Sequence, residues 1–209
     1  MKLIGMLDSP YVRRVAISLQ LLGLRFEHQS LSVFRGFAQF QQINPVVKAP
    51  TLCCDDGTVL MDSTLMLEYA EALARPRSLM PRELPLLQRD LRLIGLALAA
   101  TEKSVQVVYE RGLRPPEKLY PPWLERITGQ LLAAHEQLEL ELSRRPLATD
   151  PAGLRQAHVS VAVGWHFSQQ MLPKVVPASR FPLQAAFSAA MEALPEFRAA
   201  PHGDATYPA

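Results

Sequence analysis

LDSPYVRRVAISLQLLG, residues 7–23, sets a serine directly against a proline, after a short apolar stretch and before a long patterned run. Pro10 suits the first turn of a helix, where its missing N–H costs nothing. Val12, Val15, Ala16, Leu19 and Leu22 then recur at helical spacing, and Gly23 closes the run as a helix C-terminal glycine does. Upstream, Lys2 to Met6 is short and apolar and ends in the turn-like Asp8-Ser9-Pro10, which predicts a buried strand. Two readings are open at Ser9: it caps the helix, or it presents its hydroxyl to a reactive group at a helix N-terminus, where free N–H groups and a partial positive charge collect.

Outward from this strand–helix start, RFEHQSLSV predicts a second strand and GFAQFQQINP a short helix closed by Asn44-Pro45. APTLCCDDGTVLMD holds two short apolar runs around Asp56-Gly57, a hairpin signal. STLMLEYAEALA follows as a helix. The order β-α-β-α-β-β-α is the thioredoxin-like arrangement, and short alternating elements suit a small α/β layer structure.

RPRSLMPRELP, residues 75–85, carries three prolines and four charged residues and reads as a linker. Beyond it the pattern is helical. Residues 86–112 form one long run, PPWLERITGQLLAAHEQLELELSRRP a second, GLRQAHVSVAVGWHFSQQML a third and LQAAFSAAMEAL a fourth. FRAAPHGDATYPA looks irregular. The expected architecture is an α/β thioredoxin-like N-terminal domain over residues 1–76, a linker over 77–85, and an all-α C-terminal domain over 86–209.

With 209 residues, 48% of them hydrophobic, the chain has ample material for a core. Twenty-two basic residues face 20 acidic ones, a net charge of +2, and the two signs are interleaved. That balance makes no case for a nucleic-acid or membrane-surface partner. No apolar run is long enough to span a membrane and the N-terminus lacks a secretory signal, so a cytoplasmic location is expected. The two cysteines, Cys53 and Cys54, are adjacent and give neither a disulfide framework nor metal spacing. They read as buried filling on the two faces of a strand. His28, His135, His158 and His202 show no metal-ligand spacing.

Three places in the first domain can carry chemistry. A hydroxyl at Ser9 with the helix terminus suffices to lower a thiol pKa by about two units, since each unit is roughly 1.4 kcal/mol. In KAP, residues 48–50, Pro50 before a strand is a candidate cis proline, and Ala49 would then offer its main chain to an extended peptide. In MDSTLMLEY, Asp62 and Ser63 open the third helix. They either cap it or hold the ammonium and carboxylate of an amino-acid α-carbon.

SPYVRRV, NPVVKAPTL and MDST with LEYAE, in this order and register, resemble the N-terminal domain of the glutathione S-transferases, and the linker and helical half match as well. The resemblance is to the bacterial branch with a serine at the start of helix one. It implies that Ser9 hydrogen-bonds the glutathione thiolate. Ala49, before a cis Pro50, would pair with the cysteinyl segment, Asp62 and Ser63 would hold the γ-glutamyl end, and Lys48 would approach the glycyl carboxylate. The implied activity is conjugation of glutathione, as co-substrate, to a small electrophilic, largely apolar substrate. It further implies a homodimer joined through the helices after Asp62 and Leu84.

Two rivals keep the same fold: a non-catalytic binding or regulatory protein, and a glutathione-dependent reductase or lyase. One departure is visible. The family's sixth helix opens with a Ser/Thr-x-x-Asp capping box, where this chain has Gly153–Gln156. Gly153 is expected as the cap, with Gln156 reaching back to its N–H. Tyr109, Gln106 and Glu110 share a helix and are candidates to meet the second substrate.

Overall fold

A computed structural model describes residues 1–207 of the chain. They divide into two compact units, Met1–Leu79 with Ala193–Ala209, and Met80–Glu192.

In the first unit, β1 (Lys2–Ile4) is followed by α1 (Pro10–Leu21), β2 (Glu27–Gln29), α2 (Phe37–Ile43), β3 (Thr51–Cys53), β4 (Val59–Met61) and α3 (Ser63–Leu73). The sheet order is β2-β1-β3-β4; β1 pairs parallel with β2, and β3 antiparallel with both β1 and β4. The parallel pair needs a crossover, which α1 supplies. The β3–β4 hairpin turns at Asp56-Gly57, where Gly57 takes φ +87° and Asp56 Oδ1 accepts the Thr58 N–H at 2.9 Å. Leu3, Ile4 and Leu52 from the sheet, Val12, Val15, Ala16 and Leu19 from α1, and Met66, Leu67 and Ala70 from α3 form the buried core.

Gly5 is fixed by geometry. Its φ is +134°, and a Cβ there would lie 2.6 Å from Val12 Cγ2 and 3.1 Å from Ala49 Cβ. The chain thus leaves β1 pressed between the start of α1 and the residue before Pro50, and any larger side chain would force them apart.

The second unit holds α4 (Leu84–Leu113), α5 (Pro121–Arg144), α6 (Gln156–Met171) and α7 (Pro182–Glu192). Helix α6 is buried along most of its length, and its Trp165 joins Val107 of α4, Ile127 and Leu131 of α5, and Phe181 in the core. Gly164 lets α6 approach α4, since a Cβ there would sit 2.8 Å from Thr101 Oγ1. His135 is fully buried yet satisfied, Nδ1 against Gln184 Oε1 at 2.8 Å and Nε2 against Ser168 Oγ at 3.2 Å. It is part of the packing.

Two expectations are corrected. The helical domain does not run to residue 209: Ala193–Ala209 cluster with the first unit. The cause is a set of contacts that no local pattern announces. Within this segment α8 (Pro195–Ala199) buries Phe197 completely. Buried Arg13 of α1 donates from Nε to Ala200 O at 2.7 Å and from Nη2 to Phe197 O at 3.3 Å. Further on, Tyr207 stacks on Phe26 with centroids 4.7 Å apart and donates its N–H to His28 Nδ1 at 2.9 Å. The irregular reading holds for residues 200–207, while Pro208 and Ala209 lie outside the described residues.

The second correction concerns the start of α6. Gly153 closes a separate single turn, Pro151–Gly153, and the N-cap is Arg155. Its N–H is taken by His158 Nδ1 at 3.2 Å, and its guanidinium grips the fully buried Asp90 of α4 with bonds of 2.6 and 3.3 Å. A residue three along returns to the cap N–H, as in a capping box, but the acceptor is an imidazole.

Candidate functional site

The start of α1 is built as a shallow cap. Ser9 has extended backbone, its O accepts the Arg13 N–H at 2.9 Å, and its Oγ accepts the Val12 N–H at a long 3.4 Å. A hydroxyl that accepts still has its proton to donate. Pro10 adds no N–H, so the terminus points few donors outward but keeps its partial positive charge. Beside Ser9, the half-buried Asp8 carboxyl is pushed up by burial, against the opposing pull of His202, the Ser9 N–H and Arg35. Residues of the C-terminal tail therefore stand within electrostatic reach of the start of α1, which sequence reading did not find.

The second element is the loop from Asn44 to Thr51. Asn44 Nδ2 donates to Thr51 Oγ1 at 2.9 Å, Asn44 Oδ1 accepts the Val46 N–H at 3.0 Å, and Thr51 Oγ1 donates to Lys48 O at 2.7 Å. These bonds pin both ends of the loop, and Val47 sits at φ +52°, a region β-branched residues rarely occupy. The Ala49–Pro50 bond is cis. Pro50 is buried, Ala49 is part-buried beside Gly5, and Lys48 is exposed.

The third is the start of α3. Asp62 is the N-cap, with Oδ1 accepting the Thr64 N–H at 2.8 Å. Its φ of +73° with ψ of 119° lies outside the wells open to L-residues, a conformation worth about 1–3 kcal/mol of strain that clusters at ligand clamps. Ser63, the next residue, is buried, and its Oγ accepts from Arg14 Nη1 at 3.1 Å.

Arg14 was not singled out from the sequence. It is 3% exposed, on the fifth position of α1. Burial pulls its guanidinium down to about 10, with Asp62 as the opposing charge. It remains a cation at neutral pH. No hydrophobic-periodicity argument finds it, because an arginine in a helix reads as solvent-facing until its neighbours are known.

The structure thus gathers four of the expected positions around one end of α1. Ser9 caps it, Ala49 abuts the Gly5 turn that leads into it, and Asp62 and Ser63 are tied to it through Arg14. Arg14 follows Ser9 by five residues, about 7.5 Å along the axis. Lys48 is set apart by exposure. Among the other candidates, Glu110 is buried against Arg114 at 2.7 Å and near the Tyr120 N–H, and Gln106 is bonded to Glu102 at 2.8 Å. Tyr109 stays exposed. Cys53 and Cys54 are free and part-buried, and burial raises the Cys53 thiol, with Cys54 adding to it. That environment is the opposite of one that activates a thiolate. Among the described residues no group of His, Cys, Asp and Glu is placed to hold a metal ion, and no helix is long and apolar enough to cross a membrane.

Residues 3–78 match the glutathione S-transferase N-terminal domain family. The chain is 29% identical over 174 residues to the uncharacterized GST-like protein YibF of Escherichia coli K12, covering 83% of this chain and 85% of that one. It superposes with a TM-score of 0.78 on a glutathione transferase family member from Pseudomonas fluorescens Pf-5 solved with bound S-(propanoic acid)-glutathione. Identity there is 29%, over 96% of this chain and 98% of the other. The same family member has been solved with bound glutathione. Residues 3–78 thus match a glutathione S-transferase N-terminal domain, and over nearly its whole length the chain is similar to members of the glutathione S-transferase family. The small mixed sheet and the helical remainder are that family's fold.

Proposed function

We propose that this chain is a glutathione transferase that binds glutathione as co-substrate and conjugates its thiolate to a small electrophilic, largely apolar substrate. The observation that carries the reading is the tie through Arg14, which joins α1, the helix that Ser9 caps, to the acid–serine start of α3. The Pseudomonas relative solved with bound glutathione, 28% identical over 95% of this chain, supports the same ligand here.

In this reading Asp62 receives the γ-glutamyl ammonium and Ser63 its carboxylate. Ala49 pairs its main chain with the cysteinyl residue as an added strand, and Lys48 approaches the glycyl carboxylate from the exposed side. Ser9 donates a hydrogen bond from its hydroxyl to the sulfur. A thiol with an ordinary pKa of about 8.5 is mostly protonated at neutral pH. The thiol gives its proton to solvent, and the charge-assisted bond and the helix terminus stabilise the anion left behind, which attacks the electrophilic atom of the second substrate while the leaving group, or the electron pair of an activated double bond, accepts the displaced charge.

Isothermal titration with glutathione tests the binding half. Ser9→Ala tests the chemical half: turnover of a conjugation substrate falls ~10–100-fold while glutathione affinity changes less than threefold, because the lost bond is to the thiolate. Unchanged turnover removes Ser9 from that role. Glutathione binding without turnover of any electrophile would favour a non-catalytic binder, and turnover of disulfides alone a reductase. The exposed stripe Leu65, Tyr69 and Leu73 on α3 supports assembly as a homodimer, which sedimentation velocity reads directly.

A further inference from the structure

Alternation through β2 puts Phe26, His28 and Ser30 on one face of the strand, and each of them meets the C-terminal segment. Phe26 stacks on Tyr207, His28 Nδ1 accepts the Tyr207 N–H at 2.9 Å, and Ser30 Oγ donates to Asp204 O at 2.7 Å. Residue 207 lies by the start of β2 and residue 204 by its end, so the segment runs back along the edge strand of the sheet. The buried His28 ring makes a second bond, with Nε2 2.7 Å from Gly5 O. A carbonyl oxygen only accepts and a peptide N–H only donates. The two bonds together therefore require a neutral ring, with its proton on Nε2 and a bare lone pair on Nδ1.

We propose that His28 is an acid-released latch for the C-terminal segment: neutral, it fastens residues 204–207 along β2, and protonated at Nδ1 it lets them go. The bond to Gly5 survives protonation, because Nε2 keeps its hydrogen. The bond to Tyr207 does not, because two hydrogens would then face each other across 2.9 Å. Burial lowers the ring's pKa, with the Gly5 carbonyl opposing. The contribution of the latch to docking is therefore full above the ordinary value of about 6.5, and is lost as pH falls through the lower value of the docked state. The charged and titratable groups on the surrounding elements are Lys2 of β1 and Glu27 of β2, which pair at 3.6 Å, Asp8 and Arg35 on the loops after those strands, and His202, Asp204 and the Tyr207 phenol on the segment itself. Release also changes the candidate site, since His202 and Asp204, whose charges act on Asp8 beside Ser9, travel with the segment.

The rival explanation is that acid frees the segment through His202 and Asp8, with His28 only filling space. Hydrogen exchange of the Tyr207 amide, followed by NMR on the full chain and corrected for the intrinsic pH dependence of exchange, separates the two. In the wild type its protection should fall ~10-fold from pH 7.5 to 4.5 while α1 stays protected. His28→Asn sets an amide oxygen in the place of Nδ1 and cannot titrate, so protection should persist at both pH values. His28→Gln keeps a donor for Gly5 O and loses the acceptor, so protection should be low at both. Wild-type protection that does not change with pH overturns the proposal, as does acid release that persists in His28→Asn, or equal protection in the Asn and Gln variants. If the variants do not fold, the nitrogen chemical shifts of the wild-type ring decide. A proton on Nε2 at pH 7.5, with one shared midpoint for ring titration and Tyr207 exchange, supports the latch, and a proton on Nδ1 or two separate midpoints overturn it.

Discussion

Helices α3 and α6 begin in similar ways and are used oppositely. Each start has an arginine, an acid and a polar group reaching toward the cap. At α6, Arg155 closes two bonds on the fully buried Asp90, and His158 closes the cap N–H. Acid and base neutralise each other. At α3, the acid caps a strained backbone and opposes the arginine's charge, the arginine donates to hydroxyls, and one buried N–H is unmet. A closed set of this kind stabilises a fold, whereas an open one waits for a ligand. The difference is in hydrogen bonding: each start sets one arginine against one acid, but at α6 the two bond to each other, while at α3 the arginine bonds hydroxyls.

Removing the acid from the closed set should have the largest effect. Asp90→Ala strands the Arg155 charge, and equilibrium urea unfolding should show a loss of about 3 kcal/mol. The affinity for glutathione should not change. A drop in affinity with unchanged stability would reverse the assignment of the two starts.

The closed set should also be the acid-sensitive one. Burial first, then the neighbouring Arg155 charge, holds His158 down at about 4. The unfolded imidazole titrates near 6.5. Below that pH the unfolded chain takes up a proton that the folded chain refuses, so this contribution is full above about 6.5 and is lost as pH falls toward 4, a change of about 3 kcal/mol. His158→Gln keeps an acceptor for the cap and cannot titrate. Its unfolding free energy should fall less than that of the wild type between pH 7 and 4.5. Parallel slopes would show that His158 is not the sensitive group. His28 and His135, also lowered by burial, contribute to both proteins alike.

The open set should respond in binding with little change in stability. Asp62→Asn retains an oxygen for the Thr64 N–H and removes the charge, so glutathione should bind ~5–10-fold more weakly at nearly constant thermal midpoint. Asp62→Ala loses the cap as well, a further cost of about 1 kcal/mol in folding. If Asn and Ala variants bind equally to the wild type, Asp62 is a cap and nothing more.

What was legible in the sequence was local. Ser9-Pro10, Asp56-Gly57 and Asp62-Ser63 are short-range signals whose physics is complete within a few residues, and each element they predict is present. The cis bond at Pro50 was a candidate because a tight turn had to precede β3. What was not legible depends on partners far along the chain. Arg155 is a poor cap by composition, and its acid lies 65 residues earlier, so Gly153 was the natural expectation. Arg14 and Arg13 are indistinguishable by pattern, and only the fold gives one of them carbonyls and the other hydroxyls. Tyr207 finds His28 across 179 residues, beyond any periodicity.

The clasp of Arg13 on residues 197 and 200 has a temporal side. As the chain leaves a ribosome, the sheet and its first helices emerge well before the piece that covers that guanidinium, and the whole of α4 to α7 is made in between. Until then Arg13 keeps its hydration, and the face of α1 that Phe197 will cover stays wet. The first unit to be synthesised is the last to be sealed.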